Sequence, residues 1–98
     1  MLTIDSDAAG AVVIAGRLDA AQCEAAQAFL DRTSGRVVLD CAALEYISSA
    51  GLGVFLKTHK RLMVNAGGLS LKRVSPHIRD IFRYSGFDKI LDIEAAAG

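Results

Sequence analysis

The sequence has no cysteine framework, no excess charge of either sign and no long apolar run, and each absence removes a class of function. Cys23 and Cys41 lie far apart, without Cys-x-x-Cys or Cys/His spacing. That fits small hydrophobes of a reducing compartment rather than a disulfide framework or a zinc site. Eleven Lys and Arg balance eleven Asp and Glu. No basic block reaches the density that phosphate-backbone binding needs, so nucleic acid is not an expected partner. The uncharged stretches Ala8–Gly16 and Cys41–Leu44 are too short to cross a bilayer, and Met1–Asp5 lacks a basic n-region and an apolar h-region. A cytoplasmic protein with no membrane partner is expected. Catalytic patterns are missing as well. There is no Gly-x-Ser-x-Gly elbow, no Lys beside Gly67-Gly68 to make a phosphate loop, and no acid or thiol at triad or ligand spacing from His59 or His77. Both histidines read as structural, and the expectation is a chain that is not an enzyme and holds neither cofactor nor metal.

What is present describes one soluble globular domain over residues 1–98, with 52% hydrophobic and 22% charged residues and no repeat or linker. Leu2–Ile4 and Ala11–Ile14 are β-type runs around the turn-forming Asp5–Gly10, which predicts a hairpin. Gly16–Asp19 is expected to break the second strand. A helix over Ala20–Arg32 then presents Ala21, Ala25, Ala28, Phe29 and Leu30 as its apolar face, with Asp19 as N-cap or as a partner contact. Arg36–Asp40 reads as a buried strand, Cys41–Ile47 as a connection and Ser49–Asn65 as an amphipathic helix. Leu69–Val74 alternates as a half-buried strand, and Ser75-Pro76 opens a helix that Ser85-Gly86 closes. Ile90–Ile93 reads as a last strand, and Glu94–Gly98 as a frayed tail or the remnant of a helix. The order is β β α β α β α β. Right-handed crossovers then give a mixed, mostly parallel sheet of about five strands covered by helices, an α/β fold.

The run Tyr46-Ile47-Ser48-Ser49-Ala50-Gly51-Leu52-Gly53 carries the chemistry. It places two hydroxyls at a strand-to-helix junction, where unpaired amides and the positive end of the helix dipole favour added negative charge. Such serines are either plain caps or the seat of a phosphate switch. Gly51 and Gly53 each cost about 1 kcal/mol relative to Ala inside a helix, which points to close approach by a neighbouring backbone or a partner. Lys57, one turn beyond Gly53, is either solvated face or an extension of a partner surface from Ser49.

Taken together, these segments resemble the STAS domain family, and within it the small anti-sigma factor antagonists. The resemblance rests on Gly16-Arg17-Leu18-Asp19, on Val37–Asp40 leading to Tyr46–Gly53, and on Asn65–Gly68, Val74–Pro76 and Ile81–Ile90 in that order. It implies the STAS fold and a phosphoacceptor at Ser49, followed by the small residue Ala50. Ser48 stands where the family has an acid, which leaves Ser48 as an alternative acceptor. The implied partners are an anti-sigma factor that is also a serine kinase of the histidine-kinase-like ATPase fold, and a PP2C-type phosphatase. The motif together with these positions gives the expected contact set Asp19, Ser48, Ser49, Ala50, Gly51, Gly53 and Lys57. The alternative within the same family is a STAS subunit of a lipid-transport ABC complex.

Overall fold

The computed structural model describes residues 1–95 and the sequence-based order of elements is the order found. Strands β1 (Leu2–Ser6) and β2 (Val12–Leu18) form the expected antiparallel hairpin. Helix α1 (Cys23–Leu30), strand β3 (Arg36–Ile47), helix α2 (Ser49–Met63), strand β4 (Gly68–Val74), helix α3 (Pro76–Ser85) and strand β5 (Asp92–Ala95) follow. The sheet order is β1-β2-β3-β4-β5, parallel from β2 onward. Its three parallel crossovers step in one direction. With the usual right hand they lay all three helices on one face. Ile14, Leu18, Leu39, Cys41, Leu69 and Leu71 point into that face and meet Leu30, Phe55, Leu62, Ile78 and Phe82 from the helices. Burial pushes the Cys41 thiol up to about 12, so it is an inert hydrophobe.

Several boundaries differ from the sequence-based expectation, each for a local reason. β2 does not break at Gly16. This glycine takes φ +94 at a shift in register and lies where a Cβ would sit 2.1 Å from the Met1 carbonyl oxygen, so the strand runs on to Leu18. Cys41–Ile47 is not a connection, because it continues β3 alongside the lengthened β2. The first helix is shorter than expected and opens with a 3-10 turn over Ala20–Gln22. That turn advances the chain by 120° per residue rather than 100°, which changes the buried face. Ala26 and Leu30 are buried and Phe29 is half-buried, while Ala21, Ala25 and Ala28 are exposed. Asp19 stands at the N-cap position of the turn but its side chain makes no capping bond. After Gly86, at φ +79, a second 3-10 turn over Phe87–Lys89 delays β5 to Asp92, and Glu94-Ala95 belongs to that strand. Residues 96–98 of the expected tail lie outside the described residues.

α2 is tied down along its length. The Arg61 guanidinium donates to the carbonyl oxygens of Leu30 and Thr33 at 2.9 Å each, capping the end of α1. Gln27 Nε2 donates to the buried Thr58 Oγ1 at 3.2 Å, and the Leu69 amide donates to His59 Nδ1 at 3.0 Å. His59 is thus bonded to β4, as a structural histidine would be.

The buried carboxylate Asp40 is paired with Arg73, which adopts φ +55, and also accepts from the Ala42 amide at 3.1 Å. The Arg73 hydrogen bond holds the Asp40 carboxyl below its ordinary value, although burial acts the other way. A depressed folded value means that the stabilisation is complete above the unfolded value of about 4 and is lost as pH falls through the folded one. Arg73→Ala is therefore expected to lower the urea midpoint at neutral pH, with the gap from the parent chain closing below about pH 4. Equal midpoints at neutral pH would contradict the pairing.

Candidate functional site

β3 ends at Ile47 and α2 begins at Ser49, so both hydroxyls of the Ser48-Ser49 pair lie at the carboxyl ends of the parallel strands. Their surroundings are unlike. Ser48 is the N-cap, with extended φ −85 and ψ 170. Its Oγ accepts from the Gly51 amide at 3.1 Å and donates to the Leu18 carbonyl oxygen at 3.1 Å, which also takes the Ser48 amide at 2.9 Å. The Ser48 hydroxyl is thus a stitch between β2 and α2, and half-buried. Ser49 is exposed, and among the described residues its hydroxyl has no hydrogen-bond partner.

The amides around these hydroxyls define the electrostatics. Gly51 gives its N–H to Ser48 Oγ and Leu52 gives its own to Ser48 O at 2.9 Å. The amides of Ser49 and Ala50 have no such partner among the described residues, and no acidic residue lies in the first turn of α2. A helix start of this kind is electropositive and can receive an anion attached to Ser49.

Ser49, Gly53 and Lys57 recur every four residues and are all exposed, and Ala50 is exposed beside them. The eight steps from Ser49 to Lys57, at about 1.5 Å rise each, make a strip about 12 Å long. Gly51 is on the other side. It is buried, and a Cβ there would lie 2.8 Å from Ile47 Cγ1, 2.9 Å from Leu18 Cγ and 3.0 Å from the Leu18 carbonyl oxygen. A Cβ at Gly53 would meet nothing within 4 Å. The two glycines therefore separate the two explanations given for them: Gly51 admits a neighbouring strand and Gly53 leaves an open surface. Gly53→Ala is expected to raise stability by about 1 kcal/mol through helix propensity, read as a higher thermal midpoint.

Asp19 follows Leu18, whose carbonyl holds Ser48, so it belongs to the same end of the sheet. Its Oδ1 is buried and has no hydrogen-bond partner, an uncommon state for a carboxylate oxygen. Cys23 Sγ donates to the Asp19 main-chain oxygen at 3.2 Å and leaves the carboxylate untouched. Sequence reasoning missed a further feature here: the Arg17 guanidinium lies 4.4 Å from the centre of the Tyr46 ring, on residues paired across β2 and β3. Strand alternation places both on one sheet face, but only once β2 and β3 are known to run that far. Among the described residues no group of three or more His, Cys, Asp or Glu is placed to hold a metal ion, and no helix is long and apolar enough to cross a membrane.

A family profile described as "Mlab, STAS domain" matches residues 2–92. BtrV of Bordetella bronchiseptica, which bears the name of an anti-sigma factor antagonist, is 46% identical over 72 residues, covering 69% of this chain and 62% of BtrV. The anti-sigma-B factor antagonist of Bacillus subtilis is 36% identical over 52 residues, covering 53% of this chain and 48% of the relative. The chain thus spans less than two thirds of either relative. Among solved structures, the Bacillus anti-sigma factor antagonist SpoIIAA superposes in its unphosphorylated form with a TM-score of 0.72, at 24% identity over 95% of this chain and 87% of that one. Its phosphorylated form gives a TM-score of 0.66 at 24% identity, over 95% and 90%. At that identity the likeness is one of fold, and it agrees with the five-stranded sheet and three helices described above. With the profile spanning all but the ends of the sequence, the chain belongs to the STAS domain family.

Proposed function

We propose that this chain is an anti-sigma factor antagonist that works by partner switching in the cytoplasm, with Ser49 as its phosphoacceptor. The observation that carries this reading is the contrast between the two serines. A kinase needs a hydroxyl it can reach and whose proton is not already given to the fold, and Ser49 meets both conditions. Phosphorylating Ser48 would instead cut its bonds to Leu18 and Gly51. Both relatives carry the name of anti-sigma factor antagonists, and SpoIIAA is described in unphosphorylated and phosphorylated forms of one fold. These likenesses support the reading.

In this mechanism the unphosphorylated chain binds an anti-sigma factor that is also a serine kinase, which frees that protein's target. Ser49 Oγ then attacks the γ-phosphorus of the kinase's ATP. The hydroxyl proton passes to a base of the kinase, ADP leaves, and a phosphoserine remains. The new group adds roughly −1.5 to −2 charge at pH 7, which the amides at the start of α2 can hold without refolding the domain. The chain supplies the acceptor and the kinase supplies the catalysis. Ala50, Gly53 and Lys57 extend the contact surface along α2, and Asp19, half-buried at the same end of the sheet, borders that surface. Gly51 serves from beneath by letting α2 close on β2. A PP2C-type phosphatase restores the binding form.

Incubation with the candidate kinase and ATP, followed by mass spectrometry of the peptide spanning Ser49, tests the reading. One phosphate on Ser49 is the expected result. Phosphate on Ser48 alone would move the site, and none on either serine would favour the alternative of a constitutive subunit in a lipid-transport ABC complex.

A further inference from the structure

We propose a second site, at the opposite ends of the strands from Ser49, that binds a small organic anion. Arg36 is the first residue of β3 and Gly68 the first of β4, and the two are paired. Between them, His59 of α2 and Asp92 of β5 lies a cavity of about 330 Å³, within the range of small-molecule sites. Its frame is fixed before any ligand arrives. A Cβ on Gly67 would lie 2.1 Å from the Gly35 carbonyl oxygen, and the Gly68 amide donates to that same oxygen at 3.1 Å.

The polar groups around this cavity are mostly donors. Arg36 is exposed and has no ion-pair partner among the described residues. His59 accepts the Leu69 amide at Nδ1, which leaves its ring proton on Nε2 as a donor. The Ser70 hydroxyl has no partner among the described residues. Val38, 37% exposed, supplies an apolar wall. A second cavity of about 290 Å³ shares Arg36 and Val38 and adds Lys72. Among the described residues Asp92, on the far strand, is the acid lining the first cavity, and no acid lines the second, where Lys72 joins Arg36. Asp40, beside Lys72, is already paired with Arg73. An apolar body on Val38 with a carboxylate or phosphate ester held by Arg36 matches this set. Because β3 separates this site from Ser49 by its whole length, occupancy is independent of the proposed switch.

Titration of the ¹⁵N-labelled chain with benzoate and with phenyl phosphate, using neutral benzamide as control, tests the site by NMR. The expected result is saturable shifts at millimolar anion, confined to the amides of Arg36, His59 and Gly68–Ser70. They should weaken at least about tenfold in Arg36→Gln, as befits the loss of a charge-assisted bond, and stay unchanged in Ser49→Asp. Stronger response to one probe identifies the headgroup as carboxylate or phosphate. Absence of saturable shifts with both anions, an equal response to benzamide, or undiminished binding by Arg36→Gln would overturn the proposal. Arg36 is exposed and its side chain makes no hydrogen bond among the described residues, so its variant tests binding rather than folding.

Discussion

Ser49→Asp is expected to weaken binding of the proposed partner kinase by about 100-fold or more, while Ser49→Ala is expected to hold that kinase bound and take no phosphate. The expected size follows from where the charge is placed. A fixed anion brought into a close interface must shed water, and beside acidic or apolar groups of the partner it costs several kcal/mol. Each 1.4 kcal/mol is a factor of ten in Kd. The aspartate carries less charge than a phosphoserine, so the true phosphoprotein should bind more weakly still. Calorimetry with kinase and nucleotide measures the affinity. Equal Kd values for the parent chain and Ser49→Asp would remove Ser49 from the interface. A Ser49→Ala chain that still accepts phosphate would make Ser48 the acceptor.

Gly51→Ala is expected to destabilise the domain by about 1–3 kcal/mol, even though alanine is the better helix former by about 1 kcal/mol. The added carbon would enter the space of Ile47 and Leu18, and one of its three close neighbours is a backbone oxygen that cannot move aside without shifting β2. For a domain of this size each 1 kcal/mol lowers the thermal midpoint by roughly 4–8 °C. The same carbon at Gly53 meets open space and acts in the other direction. A thermal midpoint for Gly51→Ala at or above that of the parent chain would show that α2 can stand further from β2 than this geometry requires.

Much of this was legible in the sequence because the signals were local. Ser75 before Pro76 gave the start of α3 to the residue, and Ser75 Oγ does accept the Ile78 amide. Glycine was the residue that local reasoning handled least well. At Gly16 it looked like a strand breaker, but its lack of a Cβ answers to Met1, a neighbour distant in sequence. Gly51 and Gly53 were indistinguishable in the sequence for the same reason, since only packing tells which side of α2 faces β2. The junction at Ser48-Ser49 was legible as a pair of hydroxyls. Their inequality was not, because it depends on the Leu18 carbonyl, thirty residues earlier in the chain. Asp19 shows the converse failure: its type and position suggested a cap, yet a 3-10 turn left its side chain without one.

The bonds that fasten α2 have a consequence for hydrogen exchange. The helix is held to β2 through Ser48, to β4 through His59 and to α1 through Arg61 and Thr58. A segment fastened at its start, middle and end opens only when its neighbours open, so its interior amides should belong to the slowest-exchanging class, governed by global unfolding. Charge added at Ser49 would then alter the protection of the first turn and leave that slow class intact, and the signal would be carried as a change of surface potential on a rigid helix.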